Sequence, residues 1–384
     1  LSVGGNTKDF GRLLYKKENP LIRIKWYHST NEFADIDSMA TFIDSRYGKF
    51  IRDEINLKLH SDTPLFSVFT PAYKTGRPMY KAFQSLQEQS YPYWEWGILL
   101  DSDDEETRDI ARKIEQEDYR VKVHEMVPYS GGNIGEVKYR AASLCRGKYL
   151  VEFDHDDYIL SDLLESSLKA FQKHPDAGFL YSDAVEISPE NQIRSYTNYW
   201  GKWTHRNRNY DEDGHVINGY QWASGYTDYD KDTGILTSVN APITPKSIRF
   251  NIGMPNHVRI WERELYHRVG GHNSNVPIMD DHELIIRTFL ATRMIHLNKL
   301  GYIQYRSTQR AKDVDKGTNS QDLNAWDLNK KSRQFHEAYE YDIHERILEL
   351  GFEDPEWTEG KWPIYHQDIY QEASNDVILS YEIN

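Results

Sequence analysis

Between residues 65 and 183 the chain alternates short apolar runs with helical stripes. Leu65-Phe66-Ser67-Val68-Phe69 has the length of a strand and ends close to Pro71, whose ring steers the preceding residue toward extended backbone. Met79, Phe83 and Leu86 then fall at i, i+4 and i+7, one face of a helix. The same alternation continues with a strand over Trp94–Leu100, a helix from about Glu105 to Gln116, and a weaker strand over Val121–Met126. Val137, Ala141 and Leu144 stripe a third helix, Tyr149–Phe153 reads as a fourth strand, Leu164, Leu168 and Phe171 mark a fourth helix, and Gly178–Tyr181 gives a fifth strand. Strands separated by helices of this length predict βαβ units, hence an α/β fold with a largely parallel sheet covered on both faces. Further along, a helix is expected from about Asp280 through Leu284, Ile285, Thr288 and Phe289, and a long one from about Leu323 to Leu350 closed by Gly351.

Two regions depart from this rhythm. Residues 1–63 form a polar extension in which Phe33, Ile36, Met39 and Ile43 predict one helix. Residues 190–240 gather Trp200, Trp203, Trp222 and many tyrosines among polar residues, as expected of an insertion of loops with a hairpin. Its rings either form an exposed platform on which a ligand stacks or bury one another as a small satellite core. His205, Arg206 and Arg208 beside them suit an anionic ligand.

Composition narrows the class. With 39% hydrophobic residues the chain can build a real core, which argues against disorder. Sixty acidic against 46 basic residues leave a charge of −14, which disfavours a nucleic-acid binder. No apolar run approaches the roughly 20 residues that span a bilayer, and mean hydropathy is −0.76. Leu1–Phe10 lack the pattern of a signal peptide. The single cysteine, Cys145, forms no internal disulfide and reads as a buried, inert thiol on a helix face. A cytoplasmic protein is the expectation.

Candidate chemistry clusters behind the predicted strands. In an open α/β sheet, ligands bind outside the carboxyl ends of the strands. Pro71-Ala72-Tyr73 follows the first strand, Asp101-Ser102-Asp103-Asp104 the second and Asp154-His155-Asp156-Asp157 the fourth. Crowded carboxylates repel one another and call for a cation. Hard oxygen ligands suit Mg²⁺ or Mn²⁺, which one or two carboxylates hold together with substrate phosphates. The chain has no G-x-x-x-x-G-K-[ST] loop, and Gly131-Gly132-Asn133-Ile134-Gly135 reads as a turn into the next helix. A zinc hydrolase is unsupported for want of H-E-x-x-H, and a calcium loop fails on spacing.

With these residues in place, the stretch from Ser67 to Asp183 resembles the nucleotide-binding half of the GT-A glycosyltransferases, particularly the inverting family 2. The likeness rests on Pro71-Ala72-Tyr73, Gln89-Ser90-Tyr91-Pro92, Asp101, Gly147-Lys148-Tyr149-Leu150 before Asp154-His155-Asp156-Asp157, and Tyr181-Ser182-Asp183. It implies a GT-A (Rossmann-like) mainly parallel sheet flanked by helices, occupying residues 64–310. That domain would comprise a nucleotide-binding half at 64–183 and an acceptor half at 184–310, followed by a helical region at 311–384. It further implies transfer of a sugar from a UDP- or dTDP-linked donor to a saccharide acceptor, dependent on Mn²⁺ or Mg²⁺. Carried over by position, Pro71, Ala72 and Tyr73 would line the base and Asp101 would accept its imide N–H. Asp156 would hold the ribose, Asp157 would bind the metal, and Asp154 would support the turn. Lys138 would steady Asp101 or the diphosphate. Asp281, within Met279-Asp280-Asp281-His282-Glu283, matches the general base and Asp280 the acidic residue before it. His257, Asp280, Trp200 and Trp203 fall to the acceptor or phosphate side.

Departures from the family pattern sharpen the expectation. A single carboxylate, Asp101, stands where an Asp-Asp pair is frequent, and Lys138-Tyr139 replaces Arg-Asn. No Q-x-x-R-W is present, which points to single-sugar transfer rather than processive synthesis. The competing reading is a non-catalytic nucleotide-sugar or glycan-binding module of the same fold. Asp280-Asp281 argues against it, since a binder needs no base. His155 and His282 read as spacers.

Overall fold

The computed structural model describes residues 64–187, 193–194, 225–240, 243, 248, 255–276, 279–305 and 325–351. Its strands are β1 (Phe66–Ala72), β2 (Trp94–Leu100), β3 (Val121–Glu125), β4 (Tyr149–Glu152), β5 (Tyr158–Ile159), β6 (Ala177–Ile187), β7 (Ile193–Arg194), β8 (Gly225–Tyr229), β9 (Leu236–Asn240), β10 (Arg259–Glu262) and β11 (Arg293–Tyr305). The described helices are α1 (Met79–Gln87), α2 (Glu105–Glu117), α3 (Ile134–Ser143), α4 (Leu163–Lys173), α5 (Arg263–Arg268), α6 (Asp280–Ala291) and α7 (Ala325–Glu349).

These strands build one mixed sheet with the path β3-β2-β1-β4-β10-β6-β11-β5. From β3 to β4 every pairing is parallel, as the βαβ pattern requires. Beyond β4 the sheet changes character: β10 runs antiparallel to both β4 and β6, β6 and β11 are parallel, and β5 closes the edge antiparallel to β11. The expected α/β class is present, with its parallel ladder concentrated in the first half. The hairpin expected in the 190–240 insertion is β8–β9, whose second strand pairs with β6. Trp200, Trp203 and Trp222 lie outside the described residues, as do the helix expected near Phe33 and the linker after Arg310.

Every residue of β1 and β2 is buried, and their side chains divide by parity between two cores. Phe66, Val68, Trp96 and Ile98 face one core, with Phe83 of α1, Ile114 of α2 and Leu164 of α4. Phe69 and Leu99 face the other, with Val137 and Ala141 of α3, Phe179 and Trp261. Apolar runs rather than alternation are what a sheet covered on both faces demands. Caps fix two helix starts: Asp104 accepts from the Thr107 amide at 2.8 Å, and Asn133 accepts from the Glu136 amide at 3.2 Å. Ile285, Ile286 and Phe289 of α6 pack on Ile343 and Ile347 of α7. Cys145 is buried just beyond the end of α3 rather than on its face, and burial pushes its thiol pKa up, so it is inert.

Candidate active site

The parallel half delivers the first functional groups. Ala72 ends β1 and its carbonyl accepts the Asp101 amide at 2.9 Å, so the two strand ends meet. Tyr73 projects with 44% of its surface exposed, and the Lys74 ammonium lies over its ring at 5.1 Å from the centroid. Asp101 is buried, and Ser130 grips both of its oxygens. The Ser130 amide donates to Oδ1 at 2.7 Å, and the hydroxyl donates to Oδ2 over a short contact. Each oxygen keeps a lone pair for a further donor. Nothing in the sequence singled out Ser130, which lies in the loop between β3 and α3.

The acidic turn follows β4. Asp157, expected to bind a metal, points inward instead. Its Oδ2 accepts from the Tyr302 hydroxyl at 2.8 Å and its Oδ1 from the Tyr305 amide at 2.8 Å. Tyr302 in turn accepts from the Asp154 amide at 3.2 Å, so β11 pins the turn. The Asp154 side chain is 32% exposed and lies on the rim, 3.6 Å from Nε2 of His257. His257 stacks on Tyr302 at 4.8 Å between ring centroids, and burial lowers its pKa. Asp156 sits 3.4 Å from Nδ1 of His155. Burial first, then Asp156 and Asp154, push the Asp157 carboxyl well above the usual range. Asp154 on the rim and Asp156 are hard oxygen donors within one turn, a donor set that suits a divalent cation. Among the described residues no three His, Cys, Asp or Glu side chains close on one point, so a cation there needs ligands from a bound phosphate.

A buried charge network joins this turn to α6. Lys138, one turn into α3, meets Glu152 at 2.7 Å and Asp280 at 3.4 Å, not Asp101. Gly135 makes that reach possible: a Cβ there would lie 2.6 Å from the Asn273 carbonyl oxygen and 3.3 Å from the Asp280 Cβ. Glu152 on β4 is fully buried, and Arg259 lies opposite it on β10. The guanidinium bridges Glu152 at 3.4 Å and Asp281 at 2.9 Å. Against the penalty of burial, Lys138 and Arg259 hold Glu152 well below the ordinary carboxylate range. His272 turns Nε2 toward Asp280 at 3.6 Å, and burial drops its pKa to about 3, so it is neutral.

Asp280 and Asp281 are neighbours with opposite electrostatics. Burial outweighs Lys138 at Asp280, and the nearby carboxylates add to it, raising the pKa to about 6. At Asp281 burial acts the same way, but Arg259 and Lys138 overcome it and hold the pKa at about 2. Asp280 is enclosed, whereas the Asp281 side chain is 27% exposed. Only Asp281 of the pair presents an ionised carboxylate to solvent at the positive end of a helix.

Residues 67–230 match the family model of glycosyl transferase family 2. The chain carries a family 2 glycosyltransferase domain. Over 239 residues the chain is 23% identical to the chondroitin synthase of Pasteurella multocida (strain Pm70), which is 62% of this chain and 20% of that protein. It is 22% identical over 244 residues to glycosyltransferase GlyG of Streptococcus pneumoniae serotype 4, covering 63% of this chain and 71% of that one. Among solved structures, S. aureus TarS 1–349 in complex with UDP-GlcNAc aligns at a TM-score of 0.46 and 15% identity, over 82% of this chain and 80% of that one. The glycosyltransferase domain therefore contains Asp101 and the acidic turn within the matched stretch, while Arg259, Asp280 and Asp281 lie beyond it. Among the described residues no helix is long and apolar enough to cross a membrane.

Proposed function

We propose that this chain transfers a single sugar, with inversion, from a UDP- or dTDP-linked donor to a saccharide acceptor. The observation that carries the reading is the paired character of Asp280 and Asp281: one enclosed and near neutrality, the other ionised and open, bridged by Arg259 to the strand that ends in the acidic turn. A relative named a chondroitin synthase and another named a glycosyltransferase support a saccharide acceptor. The first name belongs to a polysaccharide synthase, so single-sugar transfer is proposed from the missing Q-x-x-R-W alone.

In this reading Tyr73 lines the nucleobase and Asp101 accepts its imide N–H. Asp154 and Asp156, rather than the inward-held Asp157, would hold Mn²⁺ or Mg²⁺, which would supply positive charge to offset that gathering on the leaving diphosphate. Asp281 takes the proton from the acceptor hydroxyl as its oxygen attacks the anomeric carbon, and the bond to the diphosphate breaks on the opposite face. A carboxylate with a depressed pKa is a modest base, but it is ionised throughout the physiological range and receives a proton that attack makes acidic.

The decisive variant is Asp281→Asn, which keeps shape and removes the base. Transfer should fall by roughly 10²- to 10⁴-fold while affinity for UDP with Mn²⁺ stays near that of the parent. Retained turnover would remove Asp281 from catalysis, and lost UDP affinity would move it to the donor site.

A further inference from the structure

We propose that Arg259 is a positioning residue for Asp281, and that Glu152 is the buried anchor that holds Arg259 in place. The inference rests on the reading of Asp281 as the base and extends it to residues outside that role.

Three contacts fix the guanidinium, whose side chain is only 3% exposed. Nε donates to the Pro255 carbonyl at 2.9 Å, Nη1 faces Glu152 at 3.4 Å and Nη2 donates to Asp281 Oδ2 at 2.9 Å. A planar fork held at three points cannot swing to follow a substrate, so it sets the plane of the carboxylate it touches. The other Asp281 oxygen accepts the His282 amide at 2.7 Å. With one donor on each oxygen, the carboxylate is locked with its remaining lone pairs available to the open side. The geometry also explains why a strand otherwise apolar in sequence, Tyr149-Leu150-Val151-Glu152-Phe153, carries a fully buried acid. A cation tied only to Asp281 would be drawn out with it; Glu152 holds the guanidinium at the level of the sheet.

Below about pH 6 the charges balance. Lys138 and Arg259 offset Glu152 and Asp281, and Asp280 is the member that takes up a proton. Asp281 is faced by Arg259 from β10, Lys138 from α3, Glu152 from β4, His272 from the turn before α6, and Asp280 on its own helix. Arg259 is the member in direct contact, so its charge dominates whether Asp281 is ionised.

A purely structural ion pair and a positioning one differ in what its loss moves. Asp281 would be titrated by carboxyl NMR on aspartate-labelled protein in the parent, Arg259→Gln and Arg259→Lys, with Asp281→Asn assigning the signal. Release of UDP from UDP-N-acetylglucosamine with Mn²⁺ would be followed over pH in the same proteins. The Gln variant should raise the Asp281 pKa by about 1–3 units and lower kcat by about 100-fold, with the deficit growing as pH falls and affinity for UDP unchanged. The Lys variant keeps the charge and should leave the titration near that of the parent while recovering part of kcat. An unmoved Asp281 titration in Arg259→Gln, or a deficit that does not vary with pH, would overturn the proposal. If Arg259→Gln does not fold, the double variant Glu152→Gln/Arg259→Gln removes anchor and fork together, and the same criteria apply. Full UDP release by Asp281→Asn would instead defeat the base assignment, an outcome separate from the Arg259 titration.

Discussion

Asp280 and Asp281 differ by one position in a helix and by their neighbours, and the roles proposed for them rest on this difference. The native Asp280 carboxyl, raised to about 6, binds a proton that the unfolded chain has released above its ordinary value near 4. Its contribution to stability is therefore present at low pH and is lost as pH rises through the window from about 4 to 6. Over that window Asp280→Asn should lack a stability decline of up to about 3 kcal/mol that the parent shows, as read from denaturant midpoints at each pH. Asp281 has the opposite sign, contributing stability above its ordinary pKa that is lost only toward about pH 2. At the other end of the site, Ser130 holds both oxygens of Asp101. Removing its hydroxyl in Ser130→Ala should weaken UDP binding about 10-fold with kcat little changed, the signature of a lost hydrogen bond to a charged group. Asp101, Asp281 and the acidic turn were legible because each follows or opens an apolar element. Ser130 and His272 carry no such signal. Glu152 did carry one: a carboxylate inside an apolar strand must meet a cation, and Lys138 and Arg259 are those cations.

At the scale of elements, periodicity was readable wherever a helix or strand buries one face or both. β1, β2, α1 and α2 begin and end within a residue or two of where the apolar pattern puts them. β10 was not legible, because its outer residues Arg259 and Glu262 are charged and only Ile260 and Trp261 are apolar. β11 breaks its alternation with register shifts between Leu297 and Leu300 and between Leu300 and Tyr302. α3 lies close against the approach to α6, where Gly135 leaves no room for a side chain. Gly135→Ala should cost about 1–3 kcal/mol in thermal or denaturant unfolding and should also reduce turnover, since Lys138 and Asp280 shift together. A stability loss without a loss of turnover would separate that contact from the site.

For the whole molecule, the two halves of the sheet divide the labour. The parallel half ends in Asp101 and the acidic turn. β10, antiparallel beside it, brings Arg259 across to Glu152, and α6 brings Asp281 to Arg259. The proposed function puts a cation between the acidic turn and the donor diphosphate, because carboxylates and phosphates repel one another. Calorimetric titration of UDP into the parent and into Asp156→Ala, each with and without Mn²⁺, tests that claim most directly. Binding by the parent with Mn²⁺, at least about 10-fold weaker without it and weakened as much by the substitution, is the result expected. Equal UDP affinity with and without the metal, untouched by Asp156→Ala, would contradict it.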